Sequence, residues 1–274
     1  MTGNIMHKIH VIFFIFISVI CEAQIPEGYP SIDKSDLPGA NILSVTHYSG
    51  ESLDGYLKGL AALYREYGIS DGVIIDIAYG DGHFKSEVFK LKGPAEAFGI
   101  YSVSREKCRV TNYTDDFRCQ SKDRLQICKG TYYINIAYIS GSGPDSVLLM
   151  NIGNKLISKI SETSFNPEIF IPNVDIAELK NNAILVKGGL GLRNSANNLE
   201  KYFMNLTDFE AVIFTTKEKN YISVNFNNPE DFILFINFHG WGMCDMSVTD
   251  LTTSRGETLR LLGNNHLLIR TGNN

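Results

Sequence analysis

The sequence predicts an α+β protein made of two similar β-β-α-β-β modules, with antiparallel sheets and helices packed on one face. One reason is that apolar residues alternate with other residues in paired segments, each pair broken by a turn, which is typical of β-hairpins. The other reason is a repeated helix opening, a proline followed by an acid and a phenylalanine. It reads GPAEAFGIYS at residues 93–102 and NNPEDFILFINF at residues 227–238.

The start of the chain predicts an exported protein. Residues 11–20 form a run of ten residues that is apolar except for Ser18, which is half of what a membrane-spanning helix needs but fits a secretory signal. We expect residues 1–23 to be this signal peptide, with cleavage after Ala23 and release to the periplasm or the medium. The alternative is a lipoprotein acylated at Cys21, which is disfavoured because Ile20 stands where a small residue is wanted.

The charge balance argues against one class of partner. The chain has 25 basic and 30 acidic residues, a net charge of −5, and the basic residues are not clustered. A nucleic-acid surface normally needs clustered Lys and Arg, so we expect no nucleic-acid partner. We also expect no transmembrane segment in the mature chain, because no later segment is apolar enough.

The clearest helix of the first module is GESLDGYLKGLAALYREYGI, residues 50–69. Its helical spacing predicts a buried apolar stripe, and small residues on a second face predict the close approach of another backbone. Gly68 is a plausible end of the helix. The stripe consists of Leu53, Leu57, Leu60, Ala61 and Tyr64, and the small-residue face of Gly55, Gly59 and Ala62.

The rest of the first module, residues 24–160, alternates between hairpins and helices. Residues 71–91 predict a hairpin that turns at residues 80–82, and Pro94 then opens a short helix. Residues 123–138 predict a second hairpin turning at Lys129, and residues 146–160 a helix.

The second module, residues 183–274, repeats this order after a connection at residues 161–182. Hairpins are predicted at residues 209–226 and 257–270, the second turning at Gly263, with a helix from Pro229 between them. Four matching positions occur in order at nearly constant offsets, which favours an internal duplication. They are Pro94 and Pro229 (135), Phe98 and Phe232 (134), Leu125 and Leu259 (134), and Gly130 and Gly263 (133).

Three cysteines lie close together in the first module. Cys108 and Cys119 bracket the polar segment RVTNYTDDFR, which we interpret as a loop, and they are our first choice for a disulfide in an oxidising compartment. Cys128 sits in an apolar alternation and is expected to be a buried thiol. The alternative is that all three are buried thiols without a bridge.

Several motifs resemble a family of exported bacterial proteins known as a domain of unknown function, number 6599 in that series. The matching text is LKGLAALYREYGI, EVFKLKGPAEAFGIYS and CKGTYYINIAY, and VKGGLGLRN is similar to the opening of the family's second half. The resemblance covers most of the mature chain and implies the same fold and an exported location, but no activity. Lys58 and Ala62 depart from the family, which usually has Asn and Glu there.

No recognisable catalytic or metal-binding motif occurs, since the sequence lacks both G-x-S-x-G and H-E-x-x-H. His239, Cys244 and Asp245 lie close together on a glycine-rich stretch, but we expect no metal site. Gly189 and Gly191 follow an apolar strand and imitate a dinucleotide fingerprint, yet the next elements read as a hairpin and not as a β-α-β unit. We therefore expect no catalytic residues and no cofactor.

Aromatic residues beside cations are the remaining candidates for ligand contacts, because they suit sugars, peptides or proteins. Two groups end the predicted helices, one residue lies at a turn, and the single tryptophan lies between glycines. The alternative is that the tyrosines cap the core and that the tryptophan fills a gap in it. The candidates are Tyr64, Arg65, Tyr67, Tyr101, Arg105, Lys129 and Trp241.

These observations favour an exported, non-catalytic binding or scaffold protein of the bacterial cell envelope, with an envelope protein or a glycan as partner. One alternative is a hydrolase of unfamiliar type, acting on envelope or dietary polymers in a cleft between the two modules. Another is a purely structural subunit. The hydrolase would need polar groups from both modules in one cleft, whereas the structural subunit would show a large exposed apolar patch.

Overall fold

A computed structural model describes residues 25–105, 108–113, 115–174, 176–204, 206, 209–241 and 250–272. It contains two antiparallel sheets, of seven and six strands, together with helices, which confirms the predicted α+β class. Among these residues, no helix has the length and apolar character needed to cross a membrane. The predicted signal peptide lies outside the described residues.

The first sheet has the strand order β1-β2-β3-β7-β6-β5-β4 and the second the order β11-β12-β13-β10-β9-β8. The strands of the first sheet are β1 (Ala40–Ser49), β2 (Ile69–Tyr79), β3 (Gly82–Leu91), β4 (Arg109–Tyr113), β5 (Asp116–Gln120), β6 (Arg124–Lys129) and β7 (Tyr132–Gly141). Those of the second are β8 (Ile184–Val186), β9 (Glu210–Thr215), β10 (Lys219–Asn225), β11 (Leu251–Thr252), β12 (Thr258–Gly263) and β13 (His266–Gly272).

Helices connect the strands and cover the sheets. They are α1 (Gly50–Leu57), α2 (Ala61–Glu66), α3 (Pro94–Ser104), α4 (Ser146–Ile157), α5 (Ile176–Asn182), α6 (Gly189–Ser195) and α7 (Pro229–Phe238). Short 3-10 turns lie at Lys58–Leu60, Pro167–Ile169 and Asn197–Tyr202. The segment between the two predicted modules therefore contains one 3-10 turn and α5.

Both sheets repeat one arrangement. In the first, hairpins β2–β3 and β6–β7 pair through β3 and β7, and in the second, hairpins β9–β10 and β12–β13 pair through β10 and β13. Each pair of hairpins is linked by a helix that starts at a proline, α3 at Pro94 and α7 at Pro229. Proline suits the first helical position because its missing N–H would have no partner there.

The first predicted helix is interrupted. Lys58 has a φ of +52°, a value that favours glycine, and it separates α1 from α2. The prediction that Leu60 is buried is wrong, because its side chain is 55% exposed beyond this break. The predicted close approach of a backbone to Gly55 and Gly59 is also wrong, since no described atom lies within 4 Å of a Cβ placed at either. Gly68, with a φ of +68°, ends the helical segment as predicted.

The polar segment between two cysteines is not a loop as predicted. It forms the hairpin β4–β5 at the edge of the first sheet. An edge strand pairs with a neighbour on one side only, so polar residues are tolerated there. Cys108 and Cys119 are joined by a disulfide, with their Cα atoms 5.5 Å apart, and Cys128 carries a buried free thiol. The last hairpin turns at residues 264–265, one residue later than predicted.

The first sheet is covered on both faces, because its strands bury side chains on alternate sides. Helix α4 packs on one face through Leu149, Ile152 and Leu156, together with the segment that precedes β1. Helices α1, α2 and α3 pack on the other face, in a core that continues into the second sheet. This second face also carries the contact between the two modules.

Tyr67 connects the modules. Its side chain is fully buried, and its hydroxyl donates a hydrogen bond to the carbonyl oxygen of Leu185 in β8 at 2.9 Å. The ring crosses α3 at Gly99, where an added Cβ would lie 2.3 Å from a ring carbon. Its hydroxyl also reaches α6, where a Cβ on Gly191 would lie 2.2 Å from it. Glycine is therefore required at both crossings.

The glycines that imitate a dinucleotide fingerprint serve the same contact. The Glu66 carboxylate accepts hydrogen bonds from the backbone N–H groups of Leu190 at 2.9 Å and Gly191 at 2.7 Å. These are N–H groups at the start of α6, which have no partner within the helix. A carboxylate of the first module thus occupies the position that a bound phosphate takes in a nucleotide-binding protein.

Candidate ligand-binding site

The site lies on the face of the first sheet that α1, α2 and α3 only partly cover. On this face, neighbouring strands β3, β7 and β6 present alternate side chains in register. The register places them in three rows across the sheet, one aromatic, one of planar polar groups and one charged. The rows are Phe89–Tyr133–Cys128, Glu87–Asn135–Gln126 and Lys85–Ala137–Arg124.

A cavity of about 540 Å³ opens over the first two rows and extends to Arg124 of the third. This volume is within the range of small-molecule sites, roughly 300–1,000 Å³. The sheet forms the floor, α1 and α2 form one wall, and the end of α3 forms the other. Among the described residues of the second module, Asn194 is the one that lines the cavity. The wall residues include Tyr56, Lys58, Leu60, Leu63, Tyr64, Val103, Ser104 and Arg105.

Glu87 is held between the helix wall and the floor. One of its carboxylate oxygens accepts a hydrogen bond from the hydroxyl of Tyr56, and the other accepts one from the Asn135 side-chain amide at 2.5 Å. Burial, and to a lesser extent the hydrogen bond to Glu87, raises the pKa of Tyr56, so this hydroxyl keeps its proton. The Tyr56 ring in turn stacks on Tyr48 of β1 at 4.7 Å between centroids. The carboxylate is thereby fixed in one orientation.

Gln126 is fixed in a similar way. Its amide donates hydrogen bonds to the carbonyl oxygen of Ser104 at 3.0 Å and to the hydroxyl of Tyr133 at 2.7 Å. Burial raises the pKa of Tyr133 well above its ordinary value, so that hydroxyl stays neutral. Beside it, Tyr64 packs with its ring centroid 6.3 Å from that of Tyr133. The polar floor is therefore rigid and borders on aromatic edges.

Arg105 sets the end of the α3 wall. Its guanidinium donates to the carbonyl oxygens of Asn181 at 2.5 Å and Ala183 at 2.8 Å, which precede β8. It also lies 5.7 Å from the centroid of the Tyr101 ring, at a distance typical of a cation–π contact. A cation is thus fixed beside the cavity by the contact between modules.

The structure brings together some of the residues selected from the sequence. Tyr64 and Arg105 line the cavity, and Tyr101 lies beneath Arg105 with its ring fully buried. Tyr67 lies at the contact between the modules and not in the cavity. Burial of these rings agrees with the alternative that the tyrosines belong to the core.

The other selected residues lie elsewhere. Arg65 is exposed and bonds to Asp54 at 2.8 Å. Lys129 is buried at the far end of its hairpin, where its ammonium pairs with Asp115 at 2.6 Å. Trp241 belongs to the second module and is buried against His239, with ring centroids 4.3 Å apart. These residues do not contribute to the cavity.

Sequence reasoning missed the polar row of the floor. Glu87, Asn135 and Gln126 each occupy a position that the alternation of their strand directs toward a helix-covered face. A polar side chain at such a position is unusual, because burial without a partner is costly. That signal is present in the sequence, but the register that aligns the three residues is not.

No family model matches this chain, and no curated protein matches it. Solved structures with a distant likeness include crystal form III of TP0453, at 12% identity and a TM-score of 0.31, covering 88% of this chain and 94% of that one. Crystal form I of TP0453 has 11% identity and a TM-score of 0.30, covering 88% and 92%. A likeness at this level carries no argument about function. The resemblance to the family of unknown function stays a prediction.

Proposed function

We propose that the protein is an exported, non-catalytic binding or scaffold protein of the bacterial cell envelope, and that the cavity is its ligand site. The observation that carries the proposal is the row of Glu87, Asn135 and Gln126 at the floor of the cavity. A few fixed polar groups in a partly apolar cavity are what small-molecule sites use to orient a ligand.

A glycan suits this arrangement better than a protein surface does. The strands are about 4.8 Å apart, so the row presents three planar side chains at that spacing to one side of a flat ligand. Carboxylate oxygens accept, whereas amides both donate and accept, and sugar hydroxyls offer both functions. The site is concave, whereas most protein partners are bound through flatter and larger areas.

The arrangement supports binding over hydrolysis. Glycoside hydrolases generally use two carboxyl groups that flank the bond to be broken. Among the described residues that line the cavity, Glu87 is the one carboxylate, and both of its oxygens already accept hydrogen bonds. The hydrolase alternative requires a cleft that holds polar groups from both modules. Tyr67 and Glu66 instead pack directly against the second module, and among the described residues of that module Asn194 is the one that lines the cavity.

The test is retention of glycans by the mature chain, starting at Gln24, on an array of bacterial envelope oligosaccharides. Asn135→Ala removes the centre of the polar row and should weaken binding about ten-fold, equivalent to roughly 1.4 kcal/mol. Asn41→Ala is the matched control, because Asn41 is exposed on β1 of the same sheet. Failure to retain any glycan, or equal retention by the Asn135→Ala chain, would contradict the proposal.

A further inference from the structure

We infer that the glycan bound in this cavity is acidic and carries a carboxylate that the cations of the cavity wall recognise. This inference rests on the proposed function and adds the charge of the ligand to it. Among the described residues that line the cavity, three are basic, Lys58, Arg105 and Arg124, and one is acidic, Glu87. The lining is therefore positive in a chain whose net charge is −5.

Glu87 offsets only one of these three positive charges. Its two oxygens face the hydroxyl of Tyr56 and the amide of Asn135, which hold it against the floor. The next acid on this face is Asp76 of β2, which lies directly opposite Lys85 of β3. Asp76 also accepts a hydrogen bond from Ser44 at 2.7 Å. Each acid thus has a partner on the sheet.

Arg124 is placed to bind the ligand together with the polar row. It lies two residues before Gln126 on β6, so both side chains point to the same face about 7 Å apart. A guanidinium can bind a carboxylate with two parallel hydrogen bonds, which a neutral hydroxymethyl group cannot form. A sugar whose hydroxyls lie on the polar row can therefore place its carboxylate at Arg124.

Lys58 adds a second positive charge to that of Arg124, from the wall formed by α1 and α2. It is exposed at the break between α1 and α2, so its flexible side chain can follow a ligand at the mouth of the cavity. Arg105, in contrast, is fixed by two carbonyl oxygens at the contact between the modules. The wall thus presents a fixed cation beside α3 and a mobile one beside α1. Both favour a negative ligand at short range.

The experiment is titration calorimetry of the mature chain with paired probes. The probes are uronic-acid and sialic-acid oligosaccharides, each compared with its carboxyl-reduced form, which keeps the linkages and removes the charge. We expect at least one acidic probe to bind ten-fold or more tightly than its reduced form, and this preference to fall with added salt. Arg124→Gln should abolish the preference. The control is Lys122→Gln, which also removes one positive charge, at an exposed position just before β6. This variant should keep the preference for the acidic probe.

The outcomes separate this inference from the proposed function. Equal binding of acidic and reduced probes would overturn the inference while the glycan site stands. Retention of only neutral glycans on the array would do the same. If no glycan binds at all, both are overturned. Unfolding midpoints of the Arg124→Gln and Lys58→Gln chains verify that both remain folded. A folded Arg124→Gln chain that keeps the preference would overturn the inference, whereas a weaker preference in Lys58→Gln would support the role of Lys58.

Discussion

The packing of the Tyr67 ring against α3 provides a sharp test of the structure, the substitution Gly99→Ala. Gly99 lies within α3, where alanine is normally the better helix former by about 1 kcal/mol. The new Cβ, however, would lie 2.3 and 2.5 Å from two carbons of the Tyr67 ring and 3.1 Å from a methyl group of Leu185. Distances that short require the ring to move.

The ring has little freedom to move. The Tyr67 hydroxyl is bonded to the Leu185 carbonyl oxygen at 2.9 Å, and Gly191 lies directly against it on the other side. Overpacking of a tight core costs about 1–3 kcal/mol, and we take the upper end here because the side chain is held at both ends. After the gain in helix propensity of about 1 kcal/mol is subtracted, Gly99→Ala should lower the free energy of unfolding by about 2 kcal/mol.

Urea unfolding of the oxidised protein measures this difference. The matched control is Gly55→Ala in α1, where no described atom lies within 4 Å of the added Cβ and a gain of up to about 1 kcal/mol is expected. In a Tyr67→Leu background, the loss caused by Gly99→Ala should be smaller, because the clashing ring is absent. A Gly99→Ala chain as stable as the unaltered protein would refute the packing described for Tyr67.

Three further predictions concern Lys58, the disulfide and His266. Lys58→Gly should raise the free energy of unfolding by about 1 kcal/mol in urea, because glycine accepts the φ of +52° without strain. Replacing Cys108 and Cys119 together by Ser should lower it by up to about 3 kcal/mol in guanidinium, given their separation of 11 residues. Burial lowers the pKa of His266 from about 6.5, so the unfolded state binds its proton more readily than the folded state does. Stability should therefore fall as the pH drops below about 6.5, and less steeply in His266→Gln; an unchanged pH profile would contradict this.

The elements that the sequence predicted well are those with strong local signals. Alternation identified the hairpins β2–β3 and β6–β7, and a proline at the first helical position located α3 and α7. Strand β1 was not predicted, because it lies at an edge of the sheet and most of its residues are exposed. The hairpin β4–β5 was interpreted as a loop for a related reason, since polar residues are tolerated where a strand lies at an edge.

The candidate site was less predictable, because its parts come from distant segments. Tyr64 and Arg105 were selected from aromatic residues beside cations, and they do line the cavity. Glu87, Asn135 and Gln126 become neighbours only through the pairing of β3 and β6 with β7, which no local pattern specifies. The contact of Tyr67 with the second module was equally invisible, because it depends on a glycine more than a hundred residues away.

The way α3 is covered has a consequence for how the two repeats fold. One side of this helix lies on the first sheet, and the other lies under β8 and α6, which come from the second repeat. Tyr67 donates a hydrogen bond to Leu185 of the second repeat, and Glu66 accepts one from Gly191 of the second repeat. A chain ending at residue 160 would leave these side chains without partners and the outer side of α3 in water. We therefore expect the two repeats, which are similar in strand order, to fold and unfold together as one cooperative unit.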